Sequence, residues 1–223
     1  ELAFGAQVNL TVINIPNTIT YIGNSAFRAC NKLTDIYIPA SVQKLGTAFV
    51  KGGSLKSIVI DPQNKVYDSR DNCNAVIESA TNRMILGCST TTIPKTVITI
   101  AGSCFTSYEY FETLTIPNTI QEIEYGALGC NIKNLIIEDG DISLQIEYIH
   151  GEVLSAYIGR NLLYPSTGST SSIFSGNTES DYKPIITSIT FGPKVTVIPQ
   201  YICKEAKGLK TIKILGEITE IGY

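Results

Sequence analysis

The chain has 223 residues, of which 43% are hydrophobic, a formal net charge of −3 and a pI near 5.3. This composition supplies a substantial core but lacks the basic surface that nucleic-acid binding requires. Arginine occurs only at positions 28, 70, 83 and 160, which argues against recognition of phosphate or of anionic membranes. No apolar run reaches the roughly 18 residues of a membrane-spanning helix, so we expect no membrane insertion by this segment.

A repeating unit organises the chain from its first residues onward. The segment 10–32 is followed at Leu33 by a second copy of the same pattern. Equivalent positions, such as Pro16 and Pro39 or Gly23 and Gly46, are separated by 23 residues. A fixed period of this length is typical of solenoids, in which each repeat buries its apolar face against its neighbours.

Each unit opens with a strand-like pattern, L-x-x-I-x-I-P, in which apolar and polar residues alternate as in a half-buried strand. The pattern predicts nine strands, centred on Ile13, Ile36, Ile58, Thr91, Leu114, Leu135, Ala156, Ile189 and Ile212. We expect one buried ladder made of Ile13, Ile36, Ile58, Leu114, Leu135, Ile189 and Ile212. A later Ala-Phe element should form a helical or 3-10 turn, with Phe27, Phe49 and Phe105 in a second buried column.

Two insertions of about ten residues interrupt the period. In the first, at 63–90, apolar runs at 75–77 and 84–86 flank Ala80-Thr81-Asn82, which predicts a β-hairpin. The second, at 160–183, contains a polar loop at 166–172, after which Ile173 and Phe174 should pack back onto the solenoid. We interpret residues 1–223 as a single solenoid domain that carries both insertions.

Six cysteines are present, none of them in a CxxC pair, and the single histidine cannot complete a zinc site at the usual spacing. We expect four of them to behave as small buried hydrophobes: Cys30, Cys104, Cys130 and Cys203. A hairpin that turns near Thr81 would bring Cys73 and Cys88 close enough for a disulfide. Two reduced thiols in a small apolar cluster are the alternative. No metal and no cofactor is predicted.

No motif in the sequence predicts catalysis. His150 has Glu147 and Glu152 nearby but lacks a converging partner, so we interpret it as a solvated edge histidine. Asp139-Gly140-Asp141 resembles part of a calcium loop but lacks the further acids, which favours a simple turn. The acidic residues Glu109, Glu122 and Glu124 are interpreted as a solvated face. We therefore expect a protein that is not an enzyme.

The full consensus, L-x-x-I-x-I-P-x-x-V-x-x-I-G-x-x-A-F-x-x-C, resembles the BspA-type leucine-rich repeats of bacterial surface and secreted proteins. The resemblance covers nearly the whole chain. It implies a curved, right-handed, mainly β solenoid with a parallel sheet on its concave side and short helical or 3-10 turns elsewhere, and hairpins similar to the inserted one recur in the family. It also implies an extracellular or cell-surface location, with a signal peptide or anchor removed from this chain, and adhesion to host or matrix proteins.

The concave sheet is the best candidate for a binding surface. Its outward positions, just before and just after each central apolar residue, are rich in hydroxyl groups and nearly uncharged. Threonine also has a high β propensity, which by itself accounts for part of this enrichment. The candidate residues are Asn14, Asp35, Tyr37, Thr92, Thr113, Thr115, Asn134, Tyr157 and Thr190, with the two tyrosines as rigid contact points.

Three hypotheses for function follow. The first is a non-catalytic binding or adhesion module that recognises a protein or a glycan through the solenoid surface. The second is a structural spacer of a larger surface protein, and the third and least favoured is a carbohydrate-active enzyme. Binding to protein or glycan arrays separates the first two.

Both ends of the sequence fall at nearly the same phase of the repeat. Phe4 aligns with Phe27, and Ile221 aligns with Ile22, so repeat-core residues stand where a solenoid normally carries polar caps. We expect this chain to be a segment of a longer array. The alternative is that self-association covers the open end.

Overall fold

The computed structural model describes residues 1–51, 54–163, 172–174 and 185–222, apart from the side chains of 106–109. The chain forms two compact units, Glu1–Glu109 and Tyr110–Tyr223, hereafter unit 1 and unit 2. Both are built from short strands joined by turns, as a mainly β solenoid of stacked coils requires. The interpretation of residues 1–223 as one domain stays a prediction.

Unit 1 stacks its first coils through parallel strand pairs one repeat apart. Its strands are β1 (Tyr21–Ile22), β2 (Phe27–Arg28), β3 (Asp35–Ile38), β4 (Lys44–Leu45), β5 (Val50–Lys51), β6 (Ser57–Ile60), β7 (Tyr67–Asp68), β8 (Val76–Glu78), β9 (Arg83–Leu86), β10 (Thr99–Ile100) and the beginning of β11 (Phe105–Ile116). β3 and β6 pair with Ile36 opposite Ile58, and β1–β4 and β2–β5 pair in the same direction. β7, β8 and β9 then form an antiparallel meander, and β10 pairs in parallel with β9.

Unit 2 is organised around a parallel sheet. Its strands are β12 (Glu122–Ile123), β13 (Leu128–Ile137), β14 (Leu144–Ile146), β15 (Val153–Ile158), β16 (Leu162–Leu163), β17 (Ser188–Phe191), β18 (Val197–Ile198), β19 (Thr211–Ile214) and β20 (Glu220–Ile221). The strand order of the main sheet is β11–β13–β15–β17–β19. A second set of parallel pairs joins β12, β14 and β16, and β18 pairs with β20.

The predicted apolar ladder is confirmed in the middle coils. Its central members are at most 3% exposed: Ile36, Ile58, Leu114, Leu135 and Ile189. The prediction is wrong for Ile212, which is 59% exposed, and Ile13 is only half-buried. Ile212 lies on β19, which pairs with β17 on one side only, so no described coil packs over it.

Two of the nine predicted strands do not form. The segments around Ile13 and Thr91 have no strand hydrogen bonding, although both carry the repeat pattern. At the second of these, Thr92 N–H donates to the carbonyl of Cys73 over 3.1 Å, and Thr91 Oγ1 donates to the carbonyl of Asn74 over 2.6 Å. The inserted segment therefore occupies the position of the neighbouring strand with which the segment around Thr91 would otherwise have paired.

The expectation of a helical or 3-10 turn at the Ala-Phe element is wrong. Phe27 lies on β2, Phe49 lies in a bend, and backbone bonds link the two coils, with Phe27 N–H donating to the carbonyl of Phe49 over 2.7 Å. Ala26 N–H and Arg28 N–H make isolated turn bonds to the carbonyls of Gly23 and Ser25, but the φ of 53° at Ser25 interrupts any helical geometry. The 3-10 helix that the described residues contain is Arg70–Asn72, inside the insertion. The predicted column of buried phenylalanines is nevertheless confirmed, since Phe27, Phe49 and Phe105 are at most 4% exposed.

Both insertions have described parts that agree with the sequence predictions. In the first, β8 pairs antiparallel with β9, with Val76 opposite Leu86, so the predicted hairpin is confirmed. Most of 160–183 lies outside the described residues, including the polar loop at 166–172 apart from Ser172. Ile173 and Phe174 are 0% and 2% exposed, which confirms that they pack back.

Arg160, at the start of the second insertion, is completely buried. Its guanidinium donates to the carbonyls of Pro117 and Asn118 over 2.9 and 2.8 Å. Burial lowers the pKa of the Arg160 guanidinium, and the negative charge of Glu138 offsets part of this shift. A buried cation needs such acceptors because its desolvation is costly, so Arg160 links segments more than 40 residues apart in sequence.

We expect Phe49→Ala to lower the free energy of unfolding by roughly 3–5 kcal/mol, because it removes a buried ring and leaves a cavity. Phe4→Ala is the matched control, since Phe4 is 51% exposed and its truncation should cost much less. Urea unfolding followed by circular dichroism measures both. Equal losses for the two variants would contradict the buried column.

Candidate functional site

The outward positions of the unit 2 sheet are aligned by its hydrogen-bond register. Asn134, Ser155, Ser188 and Thr211 occupy successive partner positions, and so do Ile136, Tyr157, Thr190 and Lys213. The strand register therefore aligns the same residues that the repeat places in the two outward rows. We call the following residues the polar sheet face: Thr113, Thr115, Asn134, Ser155, Tyr157, Ser188, Thr190 and Thr211.

Hydrogen bonds link neighbouring groups on the polar sheet face. The Asn134 amide donates to the carbonyl of Glu112 over 2.9 Å, and Ser155 Oγ donates to Asn134 Oδ1 over 2.8 Å. Lys133 and Glu112 form an ion pair beside them. These bonds hold the amide and hydroxyl groups in fixed orientations, which lowers the conformational cost of contacting a ligand.

Tyr157 is the aromatic member of this face, and a carboxylate holds it in place. Its hydroxyl donates to Asp139 Oδ1 over 2.7 Å. Burial, followed by the hydrogen bond to Asp139 and the charge of that residue, raises the pKa of Tyr157 to about 12. The phenol therefore stays protonated at neutral pH and acts as a hydrogen-bond donor rather than as a nucleophile or base.

Tyr37 in unit 1 has the same arrangement. Its hydroxyl donates to Asp61 Oδ2 over 2.6 Å, and its side chain is 45% exposed. The hydrogen bond to Asp61 raises the pKa of Tyr37 and lowers the pKa of the Asp61 carboxyl. An exposed ring with an anchored hydroxyl is a rigid contact surface.

The structure separates the sequence-predicted candidates into groups. Thr113, Thr115, Asn134, Tyr157 and Thr190 share the unit 2 sheet, whereas Asp35 and Tyr37 lie on β3 of unit 1. Asn14 and Thr92 are exposed but lie outside any strand. A binding role for each of these residues stays a prediction.

Sequence reasoning missed the two aspartates that orient the tyrosines. Asp61 follows the last residue of β6 directly, and Asp139 follows β13 by two residues. An acidic residue at a strand end, near the position where other repeats carry proline, is the signal that could have identified both.

His150 is not the solvated edge residue that the sequence indicates. It is half-buried, and its ring centroid lies 4.2 Å from that of Tyr148 and 4.9 Å from that of Tyr125. The two tyrosine hydroxyls are 2.9 Å apart. Aromatic side chains that share one repeat phase therefore enclose the histidine, although no sequence motif marks them as a group.

The other sequence candidates for chemistry occupy separate places. Asp139 accepts from Tyr157, and Asp141 accepts from Lys194 over 2.8 Å. Over the described ranges, no group of three His, Cys, Asp or Glu side chains is arranged to hold a metal ion. In the same ranges, no helix has the length and apolar character needed to cross a membrane.

Cys73 and Cys88 are both buried free thiols in this structure. Cys73 Sγ lies 3.6 Å from Ser69 Oγ, and Cys88 Sγ lies 3.2 Å from Thr90 Oγ1. Burial raises the pKa of the Cys73 thiol. Formation of a bridge between them stays a prediction. Cys30, Cys104 and Cys130 are completely buried, as predicted, whereas Cys203 is half-exposed.

We expect Asp139→Asn to lower the pKa of Tyr157 from about 12 toward its ordinary value of 10, because the substitution removes the negative charge that opposes tyrosinate. Burial persists in the variant and should hold the pKa above 10. NMR titration of Cζ-labelled tyrosine measures the change. The control Asp61→Asn should affect Tyr37 and leave Tyr157 unchanged, and an unaltered Tyr157 pKa in Asp139→Asn would contradict the proposed contact.

Comparisons with known proteins give a family and a fold. The family model described as "BspA type Leucine rich repeat region" matches in six copies, over residues 1–81, 77–156 and 168–223. The search of curated proteins found no match. Two solved structures share the fold, the pneumococcal vaccine antigen PcpA and a leucine-rich repeat protein from Eubacterium ventriosum.

PcpA is 16% identical with a TM-score of 0.60, and the match covers 91% of this chain and 48% of PcpA. For the Eubacterium ventriosum protein the identity is 20%, the TM-score is 0.53, and the match covers 93% and 62% of the two chains. The present chain therefore spans about half to three-fifths of the length of these proteins. Together with the coil-by-coil register described above, the repeat matches over most of the sequence show that this chain belongs to the BspA-type leucine-rich repeat family.

Proposed function

We propose that this chain is a non-catalytic recognition module of a bacterial surface protein and that it contacts a protein or a glycan through the polar sheet face of unit 2. Membership of the BspA-type family supports the assignment to bacterial surface proteins. The vaccine-antigen description of PcpA supports an exposed, extracellular location. The observation that carries the proposal is the alignment of anchored polar groups around Tyr157. Rigid tyrosines with a free ring and an occupied hydroxyl are typical contact residues of binding surfaces.

The anchored tyrosines are suited to donate hydrogen bonds rather than to transfer protons. The pKa of Tyr157 is about 12, and that of Tyr37 is also raised, so both phenols are far from the neutral range that general acid–base catalysis favours. Both are suited to donate hydrogen bonds and to offer aromatic surface. This pair of properties favours binding without chemical conversion of the ligand.

A structural spacer is the second candidate, and one specific observation favours it. Asn134 and Ser155 use their polar groups in bonds along the sheet, which stabilises the stack of coils and reduces the capacity to bind a ligand. In that case the face is rich in hydroxyl groups because threonine has a high β propensity, and not because these groups bind a ligand. The two candidates differ in one measurable property, the presence of a ligand.

We expect the chain to bind specific members of a glycan array or of a panel of extracellular matrix proteins, and Tyr157→Ala to weaken that binding at least tenfold, as loss of a central aromatic contact does. Biolayer interferometry gives the dissociation constants. Tyr201→Asn is the control, because Tyr201 is a 38% exposed tyrosine of the same unit that lies outside the strands and has a positive φ that asparagine tolerates. A chain that binds no array member, or equal losses for both variants, would favour the spacer.

A further inference from the structure

Strand β6 of unit 1 has one paired edge, and in the part of the chain that the structure describes no strand covers its other edge. The paired edge faces β3, and Ser57 N–H and Asp61 N–H donate to that side, to the carbonyls of Thr34 and Ile38. Peptide groups alternate in direction along a strand. The N–H and C=O groups of Ile58 and Ile60 therefore face the opposite edge.

One end of this open edge is covered by a side chain. Ile58 N–H donates to Asn74 Oδ1 over 2.6 Å, and Asn74 Nδ2 donates to the carbonyl of Lys56 over 2.7 Å. The Asn74 amide thus presents one acceptor and one donor to β6, as the peptide group of a neighbouring strand would. Asn74 itself has a φ of 57°, a conformation that asparagine adopts more readily than most residues.

The other end of the edge is unpaired, and Ile58 and Ile60 are themselves only 3% and 7% exposed. Among the residues that the structure describes, none forms a hydrogen bond with Ile60 N–H or with the Ile58 carbonyl. Both residues line a cleft of about 820 Å³. Unpaired backbone N–H and C=O groups are stabilised by any partner that supplies a matching acceptor and donor.

The wall opposite β6 is rigid and polar. Arg70 donates from Nε and Nη2 to Asp68 over 2.7 and 2.6 Å, and from Nη1 to Asn82 over 2.7 Å. Ser79 adds a bond to the same aspartate. The wall is therefore held in place before any ligand arrives, which reduces the cost of binding. The lining of the cleft includes Lys56, Ile58, Ile60, Asp61, Asp68 and Arg70.

We propose that this cleft binds an extended peptide segment of another protein, which adds to the Ile58–Ile60 edge of β6 as a strand. A peptide backbone repeats a donor and an acceptor along its edge with the spacing that an uncovered strand presents, whereas the hydroxyl groups of a glycan have no such periodicity. Because Asn74 already occupies the Ile58 N–H, the unpaired stretch Ile58–Ile60 spans about 10 Å, and the paired part of the peptide is about three residues long.

The charges at the two ends of the cleft specify the peptide further. Lys56 precedes β6, and Asp61 follows it. Asp68 is neutralised by Arg70, which leaves these two as the end charges of the edge. We infer that the preferred peptide carries an acidic side chain toward the Lys56 end and a basic side chain toward the Asp61 end. This site lies in unit 1 and does not depend on the polar sheet face of unit 2.

The test begins with selection from a phage-displayed library of random linear 12-residue peptides on the whole chain. We expect enrichment of peptides that bind with lower affinity to Lys56→Glu, by several-fold, and equally well to Lys95→Glu. Lys95 is a matched control because it is an exposed lysine of the same unit outside the cleft. The variant Tyr157→Ala should bind the selected peptides as the wild type does, so failure of the unit 2 proposal leaves this result unaffected.

Amide hydrogen exchange measured by NMR then tests the mode of binding. With the selected peptide bound, Ile60 N–H should exchange at least tenfold more slowly, while Asp61 N–H, which already donates to Ile38, should change little. Peptides that bind without protecting Ile60 would overturn strand addition. Absence of any enriched peptide would overturn the proposal. If, in addition, the chain bound array glycans and lost that binding in Lys56→Glu, the cleft would be a glycan site instead.

Discussion

Parallel backbone hydrogen bonding between successive coils, at a constant phase of the repeat, is the constraint on which the rest of this structure depends. When Tyr157 pairs with Thr190 and Thr190 with Lys213, every residue of one coil is placed over its equivalent in the next. The first of these steps covers 33 residues and the second covers 23, yet the register is the same. An insertion can therefore leave the stack unchanged, provided that both of its ends return to the correct phase.

The same register generates the core and the polar surface together. Because side chains alternate across a strand, stacking identical phases builds apolar columns on one side and polar rows on the other. Close approach of coils imposes a further requirement at the turns. A Cβ at Gly46 would lie 2.3 Å from the backbone nitrogen of Asn24, and one at Gly151 would lie 1.6 Å from the carbonyl oxygen of Cys130. Only glycine fits at such positions, so the turn glycines are part of the stacking geometry.

Where the register is interrupted, the structure uses side chains to satisfy the backbone. In unit 1 the Asn74 amide replaces part of a missing strand beside β6, and in unit 2 the buried Arg160 supplies donors to carbonyls of a distant turn. Both solutions follow from the cost of leaving buried peptide groups unpaired. At β6 the replacement is incomplete, and this is the reason that an open strand edge and a cleft coincide there.

Features that recur with the repeat can be predicted from the amino-acid sequence. Periodicity identifies residues that share a phase, and a shared phase is sufficient to predict the apolar ladder, the phenylalanine column, the rows around Asn134 and Tyr157, and the family. It also revealed the hairpin, because its two apolar runs are close in the chain. Tertiary structure alone decided the contacts between different phases, such as Asp139 with Tyr157, Tyr148 with His150, and Arg160 with Pro117. It also decided that the pattern around Thr91 forms no strand, because Cys73 and Asn74 occupy the place of its partner. These outcomes depend on which backbone groups are left free after the coils have stacked, and a linear pattern contains no information about that competition.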